Sequence, residues 1–143
     1  NHKNSGVGIS VDLPVEPVII RANPQLIQQL VVNLVENAHD AVIEKGLPAN
    51  ERAIQVNGFV IDAPENAKFI LEFFDLGVGM SKNLLSKARD AFFTTKQANK
   101  GTGLGLSIVG DILDKHQGEL MIESEEGQYT RVSVVLPLSG EHQ

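Results

Sequence analysis

The stretch that decides the fold is residues 23–42, "NPQLIQQLVVNLVENAHDAV". Its apolar residues recur at the i, i+3, i+4, i+7 spacing that places side chains along one side of an α-helix. These residues are Ile27, Leu30, Val31, Leu34, Val35, Ala38 and Val42. Asn23 before Pro24 is typical of an N-cap followed by proline at the first helical position, and the helix is predicted to end near Gly46. The sequence therefore predicts one long helix that buries an apolar face.

The same helix carries a polar stripe that its apolar face does not explain. Asn33, Glu36, Asn37 and Asp40 fall within an arc of roughly 100°. A solvent-facing surface accounts for such a stripe about as well as a binding site does. Asparagine is a poor helix former because its side chain competes for backbone hydrogen bonds, so two of them one turn apart favour a function. An amide oxygen is a neutral hard ligand, which suits Mg²⁺ bound together with substrate phosphates.

Further along the chain, "FFDLGVGM" (73–80) places an acid at the end of a predicted strand. Alternate residues of a strand share a face, so Asp75 lies on the apolar face of its strand, at the edge of the core. A buried carboxylate needs hydrogen-bond donors, and Gly77 and Gly79 allow a backbone or a ligand to approach closely. Two interpretations stay open: Asp75 accepts from an amino group such as that of adenine, or it begins a tight turn.

The stretch "NKGTGLGLSIV" (99–109) has glycines at every second position before an apolar run. The run predicts a helix over about 103–116, whose N-terminus would present free N–H groups to an anion. A Walker-type G-x-x-x-x-G-K-[ST] loop does not occur in the sequence, and no strand directly precedes the glycines as a dinucleotide fingerprint requires. Taken alone, the stretch fits a phosphate site or a flexible hinge before a helix.

The remaining segments predict a mixed order of strands and helices. Strands are predicted at 8–13, 18–22, 53–61, 68–75, 118–124 and 129–138, with a short helix from Ser81 and a long loop over 88–102. Strict alternation of strand and helix is absent from this order. We therefore expect an α+β fold, a two-layer sandwich in which helices pack on one face of a mixed β-sheet, as a single domain over residues 1–143.

Composition excludes several classes of protein. The 143 residues are 42% hydrophobic, which suits one domain with its own core. A net charge of -6 argues against a nucleic-acid partner, which would require clustered Lys and Arg. No apolar run is long enough for a membrane helix, and the absence of cysteine excludes disulfides and thiolate metal sites. We expect a cytoplasmic domain without direct membrane contact.

Four motifs in order carry a family resemblance: the Asn-bearing helix, Asp-x-Gly-x-Gly at 75–79, "FFTTK" at 92–96 and "GTGLGL" at 101–106. Together they resemble the ATP-binding catalytic domain of bacterial two-component sensor histidine kinases, within the GHKL ATPase superfamily. The resemblance runs from about residue 8 to residue 137. The wording of "AFFTTK" and "GTGLGLSIV" is most similar to the nitrogen-regulation and transport-sensing branch.

The resemblance implies ATP and Mg²⁺ as cofactors and assigns roles to residues. Asn37 would be the Mg²⁺ ligand, Asp75 the adenine-recognising acid, and Lys96, on a mobile lid over 92–96, a catalytic contact to the terminal phosphates. Asn33, beside the phosphates, would be the second catalytic residue. The full set of implied nucleotide-binding residues is Asn37, Asp40, Ala41, Asp75, Gly77, Gly79, Met80, Thr95, Lys96, Gly101, Thr102, Gly103, Leu104, Gly105, Leu106 and Thr130.

The resemblance also bears on the reaction. ATP-hydrolysing members carry a Glu one turn before the metal-binding Asn, whereas this chain has Asn33, whose amide cannot act as a general base. We therefore expect γ-phosphoryl transfer to a histidine rather than hydrolysis. None of the four histidines, His2, His39, His116 and His142, is expected to be the acceptor.

The expected partners are the kinase's own dimerisation and phosphoacceptor domain and, downstream, a response-regulator receiver domain. This chain would be the catalytic fragment of a cytoplasmic kinase or the cytoplasmic part of a membrane-bound sensor. Two alternatives stay open: a serine-directed kinase of the anti-sigma type, and a nucleotide-binding interaction module without transfer activity. The chain departs from the family pattern at Leu76, Ala91, Gln117 and Tyr129, where the family commonly has Asn, Pro, Gly and Gly.

Overall fold

The fold was analysed in a computed structural model that describes residues 6–93 and 105–138. Within these residues, five strands and three α-helices follow one another. They are β1 (Gly8–Asp12), α1 (Pro24–Lys45), β2 (Ala53–Ile61), β3 (Lys68–Asp75), α2 (Lys82–Phe93), α3 (Leu106–Lys115), β4 (Glu119–Glu125) and β5 (Tyr129–Pro137). A short 3₁₀ turn, Ala49–Glu51, precedes β2.

The strands form one mixed sheet in the order β1-β2-β3-β5-β4. β1 runs parallel to β2, and the other neighbouring pairs are antiparallel. α1 packs on β2 and β3, while α2 and α3 pack on β4, and α3 also contacts both other helices. The predicted α+β sandwich with helices on one face of a mixed sheet is confirmed.

The core lies between the helices and the sheet. Leu30, Leu34, Ala38 and Val42 form the buried stripe of α1, as its spacing predicted, while Phe73 is the largest fully buried side chain. α1 begins where the sequence indicated, because the Asn23 side chain accepts hydrogen bonds from the N–H groups of Gln25 and Leu26. It ends at Gly46, whose φ of 79° is favourable only for glycine.

The predicted strand at 18–22 is wrong, because this segment has no regular structure. Its period-2 pattern has another cause: Val18 and Ile20 are half-buried, whereas Ile19 between them is exposed, so one side of an irregular chain rests on the fold. β1 already pairs with β2, and Pro17 has no N–H with which to continue a ladder.

The expected loop over 88–102 is also wrong in its first part, since α2 continues to Phe93. The helix begins directly after Ser81, whose hydroxyl accepts from the Leu84 N–H at 3.1 Å, and Ala88 is fully buried. Residues 94–102 of that prediction lie outside the described residues. α3 begins at Leu106 rather than near residue 103, because Gly105 is left-handed, with φ of 69°. No helix in the described ranges is both long enough and apolar enough to cross a bilayer.

Candidate functional site

A cavity of about 140 Å³ opens between α1, the end of β3 and the loop that follows β3. Leu34, Ala38, Phe73 and Val132 form much of its apolar wall. Many of the sequence-predicted site residues also line it: Asn37, Asp40, Ala41, Asp75, Gly79, Met80, Leu106 and Thr130. The structure thus brings together residues from α1, β3, α3 and β5 that lie far apart in the sequence.

Asp75 is the acid of this cavity. It is 3% exposed, and its Oδ1 accepts a hydrogen bond from the Gly77 N–H at 2.9 Å. Burial raises the pKa of the Asp75 carboxyl to about 6, against the opposing effect of the Gly77 hydrogen bond. The two interpretations of Asp75 are compatible: one oxygen closes a tight turn, and the residue still faces the cavity.

The loop after β3 is clamped between α1 and the β4–β5 hairpin. The Val78 N–H donates to the Ala41 carbonyl at 3.2 Å, and the Gly127 N–H donates to the Val78 carbonyl at 2.6 Å. A Cβ at Gly77 would lie 2.5 Å from the Ala41 carbonyl carbon, and one at Gly79, whose φ is 67°, would lie 2.0 Å from a hairpin carbonyl oxygen. Close backbone packing is therefore sufficient to require glycine at both positions.

Thr130 faces Asp75 directly across the β3–β5 pair and is buried. Its Oγ1 lies 2.9 Å from Oγ of Ser124 on the neighbouring strand β4. The Ser124 hydroxyl also accepts from the Met80 N–H at 2.8 Å, so it joins the loop to the sheet. Sequence reasoning missed Ser124. Its one signal was a polar residue at the inward-facing position that follows Leu120 and Ile122 along β4.

Asn33 lies where α1 meets the start of α3. Its Nδ2 atom is buried and has no hydrogen-bond partner among the described residues. A Cβ built at Gly105 would lie 3.7 Å from Nδ2. A buried donor left unsatisfied costs about 1–3 kcal/mol, so this position favours an acceptor supplied by a ligand.

The predicted residues differ in how close they lie to the cavity. Three of them, Asn33, Gly77 and Gly105, adjoin the cavity without lining it. Asp40 lies at its mouth, with 81% of its side chain exposed. Thr95, Lys96, Gly101, Thr102, Gly103 and Leu104 lie outside the described residues.

Within the described ranges no cluster of three or more His, Cys, Asp or Glu is placed to hold a metal ion. The amide oxygen of Asn37, which lines the cavity, is a protein donor that a cation bound together with a ligand could use.

Comparison with known proteins identifies the family. The family model described as histidine kinase-, DNA gyrase B-, and HSP90-like ATPase matches residues 22–140, most of the chain. The chain belongs to this ATPase family. In this chain, the cavity lies between two of the segments that carry the family resemblance, the Asn-bearing helix and the Asp-x-Gly-x-Gly turn.

Curated relatives of this ATPase-family domain are sensor kinases. It is 33% identical over 135 residues to Sporulation kinase E of Bacillus subtilis and 36% identical over 126 residues to Sensor kinase CckA of Brucella abortus. These alignments cover 94% and 82% of the chain, which spans only 17% and 13% of those relatives. Both relatives are therefore several times longer than the chain.

The fold has a counterpart among solved structures. It is similar to the catalytic domain of histidine kinase ThkA in a nucleotide-free crystal form, with a TM-score of 0.68. The match has 21% sequence identity and covers 99% of this chain and 84% of that domain. At this identity the likeness concerns the fold.

Two departures from the family pattern have visible structural effects. Gln117, where the family commonly has glycine, has a φ of 58°, the left-handed conformation that glycine adopts most easily. Tyr129 packs on Phe74 with ring centroids 5.9 Å apart, and the Arg131 guanidinium lies over both rings. Leu76 is exposed, and the side chain of Ala91 lies outside the described residues. The side chains of Leu76, Gln117 and Tyr129 are not among those that line the cavity.

Proposed function

We propose that this domain binds ATP with Mg²⁺ and donates the γ-phosphoryl group to a histidine on a separate dimerisation domain of the same sensor kinase. The observation that carries the proposal is that a buried acceptor and a buried donor lie near opposite ends of one cavity. A buried acceptor, Asp75, lies at one end of an apolar cavity. Beside the start of α3 lies a buried donor, Asn33 Nδ2, which has no hydrogen-bond partner among residues 6–93 and 105–138.

The Asp75 end suits adenine. A carboxylate in an apolar slot accepts well from an exocyclic amine, and the low local dielectric strengthens that hydrogen bond. The side chains of Leu34, Phe73 and Val132 would pack against the base. Selection of adenine would therefore come from one charged acceptor within an otherwise apolar wall.

The α3 end suits phosphates. The first backbone N–H groups of a helix have no partner within the helix, and the helix dipole favours an anion there. Asn33 would add a side-chain donor on the α1 side. Because the domain carries a net charge of -6, a triphosphate would depend on such local donors rather than on overall attraction. The predicted contacts of Lys96 and of residues 101–104 would add to this set.

Asn37 is the proposed protein ligand of Mg²⁺. It lines the cavity on α1, one turn beyond Asn33, and its amide oxygen is a hard neutral donor of the kind that Mg²⁺ accepts alongside water and phosphate. When bound, Mg²⁺ would neutralise charge on the phosphates. The residues present fit such an ion, since a single protein oxygen suffices when the nucleotide supplies others.

Transfer rather than hydrolysis is favoured by the asparagine at position 33. The position next to the phosphates holds the amide of Asn33, which cannot remove a proton from water. Phosphoryl transfer depends mainly on positioning and charge stabilisation, so this domain can hold ATP while another domain supplies the nucleophile. His39, the histidine within α1, is held in the helix that forms the cavity wall and is not proposed as the acceptor.

The proposal extends to partners and setting. The relatives are sensor kinases many times longer than this chain, which supports a parent protein with a dimerisation domain and a downstream response regulator. The proposed setting is the cytoplasm, where ATP is available.

A phosphotransfer assay tests the proposal. The chain is incubated with γ-labelled ATP, Mg²⁺ and a histidine-bearing sensor-kinase dimerisation domain supplied as a separate polypeptide. The expected product is acid-labile, alkali-stable label on that domain, with negligible phosphate release by the chain alone. Steady hydrolysis by the chain alone would contradict the transfer assignment, and acid-stable label on a protein partner would favour the serine-kinase alternative. As a control, Asn57→Ala removes a half-buried asparagine of β2 that does not line the cavity and should retain transfer.

A further inference from the structure

The hydroxyl of Ser124 on β4 makes three hydrogen bonds at the polar end of the cavity. It accepts from the Met80 N–H at 2.8 Å and donates to the Tyr129 carbonyl at 2.7 Å. Its third partner is Oγ1 of Thr130, 2.9 Å away. Three partners are the full capacity of one hydroxyl, which has one hydrogen and two lone pairs.

The direction of the third bond follows from the other two. A carbonyl oxygen can only accept, so the single hydrogen of Ser124 is committed to Tyr129. The Met80 N–H can only donate and therefore occupies one lone pair of Ser124 Oγ. The hydroxyl that approaches the remaining lone pair must be the donor, so Thr130 gives its hydrogen to Ser124.

This arrangement determines what Thr130 can offer to a ligand. Thr130 lines the cavity, and with its hydrogen already used, its Oγ1 presents only lone pairs. Asp75, its direct cross-strand partner on the same face of the sheet, is an acceptor as a carboxylate. The polar end of the cavity thus combines two acceptors and no side-chain donor from this pair.

We propose that Ser124 is a specificity-determining positioning residue, which holds the Thr130 hydroxyl as an acceptor so that this end of the cavity receives a base bearing an amino group. The proposal rests on the proposed binding of ATP and deepens it. Adenine carries an amine at its 6-position, whereas hypoxanthine carries a carbonyl oxygen there. A carbonyl oxygen at this position would face the two acceptors with no hydrogen between it and either of them, which a desolvated site penalises strongly.

Ser124 also supports the loop through Met80, and the test must separate the two roles. Loss of loop support alone would weaken every nucleotide by the same factor. Loss of the fixed proton direction would change the ratio of affinities, because a freed Thr130 hydroxyl could turn and donate to a carbonyl oxygen. The preference for one base over another is therefore the informative quantity.

The experiment is calorimetric titration of the 143-residue chain with ADP and with inosine diphosphate, each with Mg²⁺. The wild type is expected to prefer ADP, and Ser124→Ala to reduce the ratio of the two Kd values by about fivefold or more, the effect of roughly one hydrogen bond. Ser124→Thr, which keeps a hydroxyl with one hydrogen and two lone pairs, should retain most of the wild-type ratio. Ser133→Ala, which removes a buried serine hydroxyl from β5, is the matched control and should leave both Kd values unchanged.

A second variant keeps the proposal testable if Ser124→Ala fails to fold. Thr130→Val removes the acceptor while the Met80 and Tyr129 bonds of Ser124 remain available, and it should also reduce the preference for ADP. An unchanged ratio in either variant would overturn the proposal while leaving ATP binding intact. Failure of the wild type to bind ADP would instead overturn the proposed function, and this inference with it.

Discussion

Asp75 on β3 and Thr130 on β5 are direct cross-strand partners, and both line the cavity that α1 closes from the other side. One is a buried acid whose pKa burial raises to about 6, and the other is a buried hydroxyl. Burial of the Asp75 carboxylate opposes stability, because the single hydrogen bond from Gly77 does not replace its hydration. The cost of keeping Asp75 buried and the proposed selection of the nucleotide would therefore share a physical origin.

Asp75→Asn should abolish nucleotide binding and stabilise the empty domain. At neutral pH the wild type keeps a desolvated carboxylate ionised, whereas the neutral amide can still accept from the Gly77 N–H through its oxygen. With the Asp75 pKa raised from 3.8 to about 6, the gain should be on the order of 2–3 kcal/mol above pH 6.

The raised pKa of Asp75 also predicts how the stability difference between the two proteins changes with pH. The folded state holds the Asp75 proton more tightly than the unfolded state, so wild-type stability falls as pH rises from about 4 to about 6 and is level above that range. The advantage of Asp75→Asn should grow over the same interval and vanish below it. Urea denaturation of both proteins from pH 4 to pH 8 measures it, and an advantage independent of pH would contradict the assignment.

Gly79→Ala should destabilise the fold by about 2–5 kcal/mol, since it adds a clash to a left-handed backbone. The new Cβ would lie 2.0 Å from the carbonyl oxygen of Glu125. The matched control is Gly46→Ala, which has a similar positive φ with no atom within 4 Å of the new Cβ and should cost only about 1–2 kcal/mol. Chemical denaturation compares them, and equal losses would show that the hairpin does not clamp the loop.

Asn33→Ala should weaken a non-hydrolysable ATP analogue by about 5- to 30-fold while leaving the affinity for adenosine unchanged. The reason is that Nδ2, a buried donor without a protein partner in the described ranges, would act only on the phosphates. The empty domain should lose little stability, since the substitution breaks no hydrogen bond between Nδ2 and a described residue. Equal affinity of the variant and the wild type for the ATP analogue would contradict this role.

Gln117→Gly should stabilise the domain by about 0.5–1 kcal/mol, because glycine adopts the φ of 58° without the cost that a side chain imposes. The control is Gln128→Gly, also at an exposed glutamine, where φ is not positive and glycine should be neutral or destabilising. Thermal denaturation of the two variants tests the prediction through opposite changes in Tm. A lower Tm for Gln117→Gly would contradict it.

Local pattern was sufficient for much of the fold. The apolar spacing of α1, its Asn23 cap and the alternation along β3 all reflect interactions within a few residues, and each was predicted. The strand expected at 18–22 failed because period-2 burial also occurs where an irregular segment rests on a core. The extension of α2 to Phe93 was not predicted, because the last turn of this helix has polar and aromatic residues without a clear period.

The candidate site was predictable by residue type but not by contact. The motifs indicated Asp75 and Asn37, yet only the sheet register places Ser124 beside Thr130 and the hairpin against Gly79. His116 is a further case. Its Nε2 accepts from the backbone N–H of Asn23 at 3.0 Å and so joins the end of α3 to the start of α1. A contact over 93 residues leaves no local signal.

The most direct test of the account is calorimetric titration of this chain with a non-hydrolysable ATP analogue, with and without Mg²⁺, in the wild type and in Asn37→Ala. The account predicts saturable one-to-one binding that Mg²⁺ strengthens in the wild type, and binding that no longer responds to Mg²⁺ in the variant. Absence of binding by the wild type at millimolar nucleotide would contradict it, and the interaction-module interpretation would then take its place.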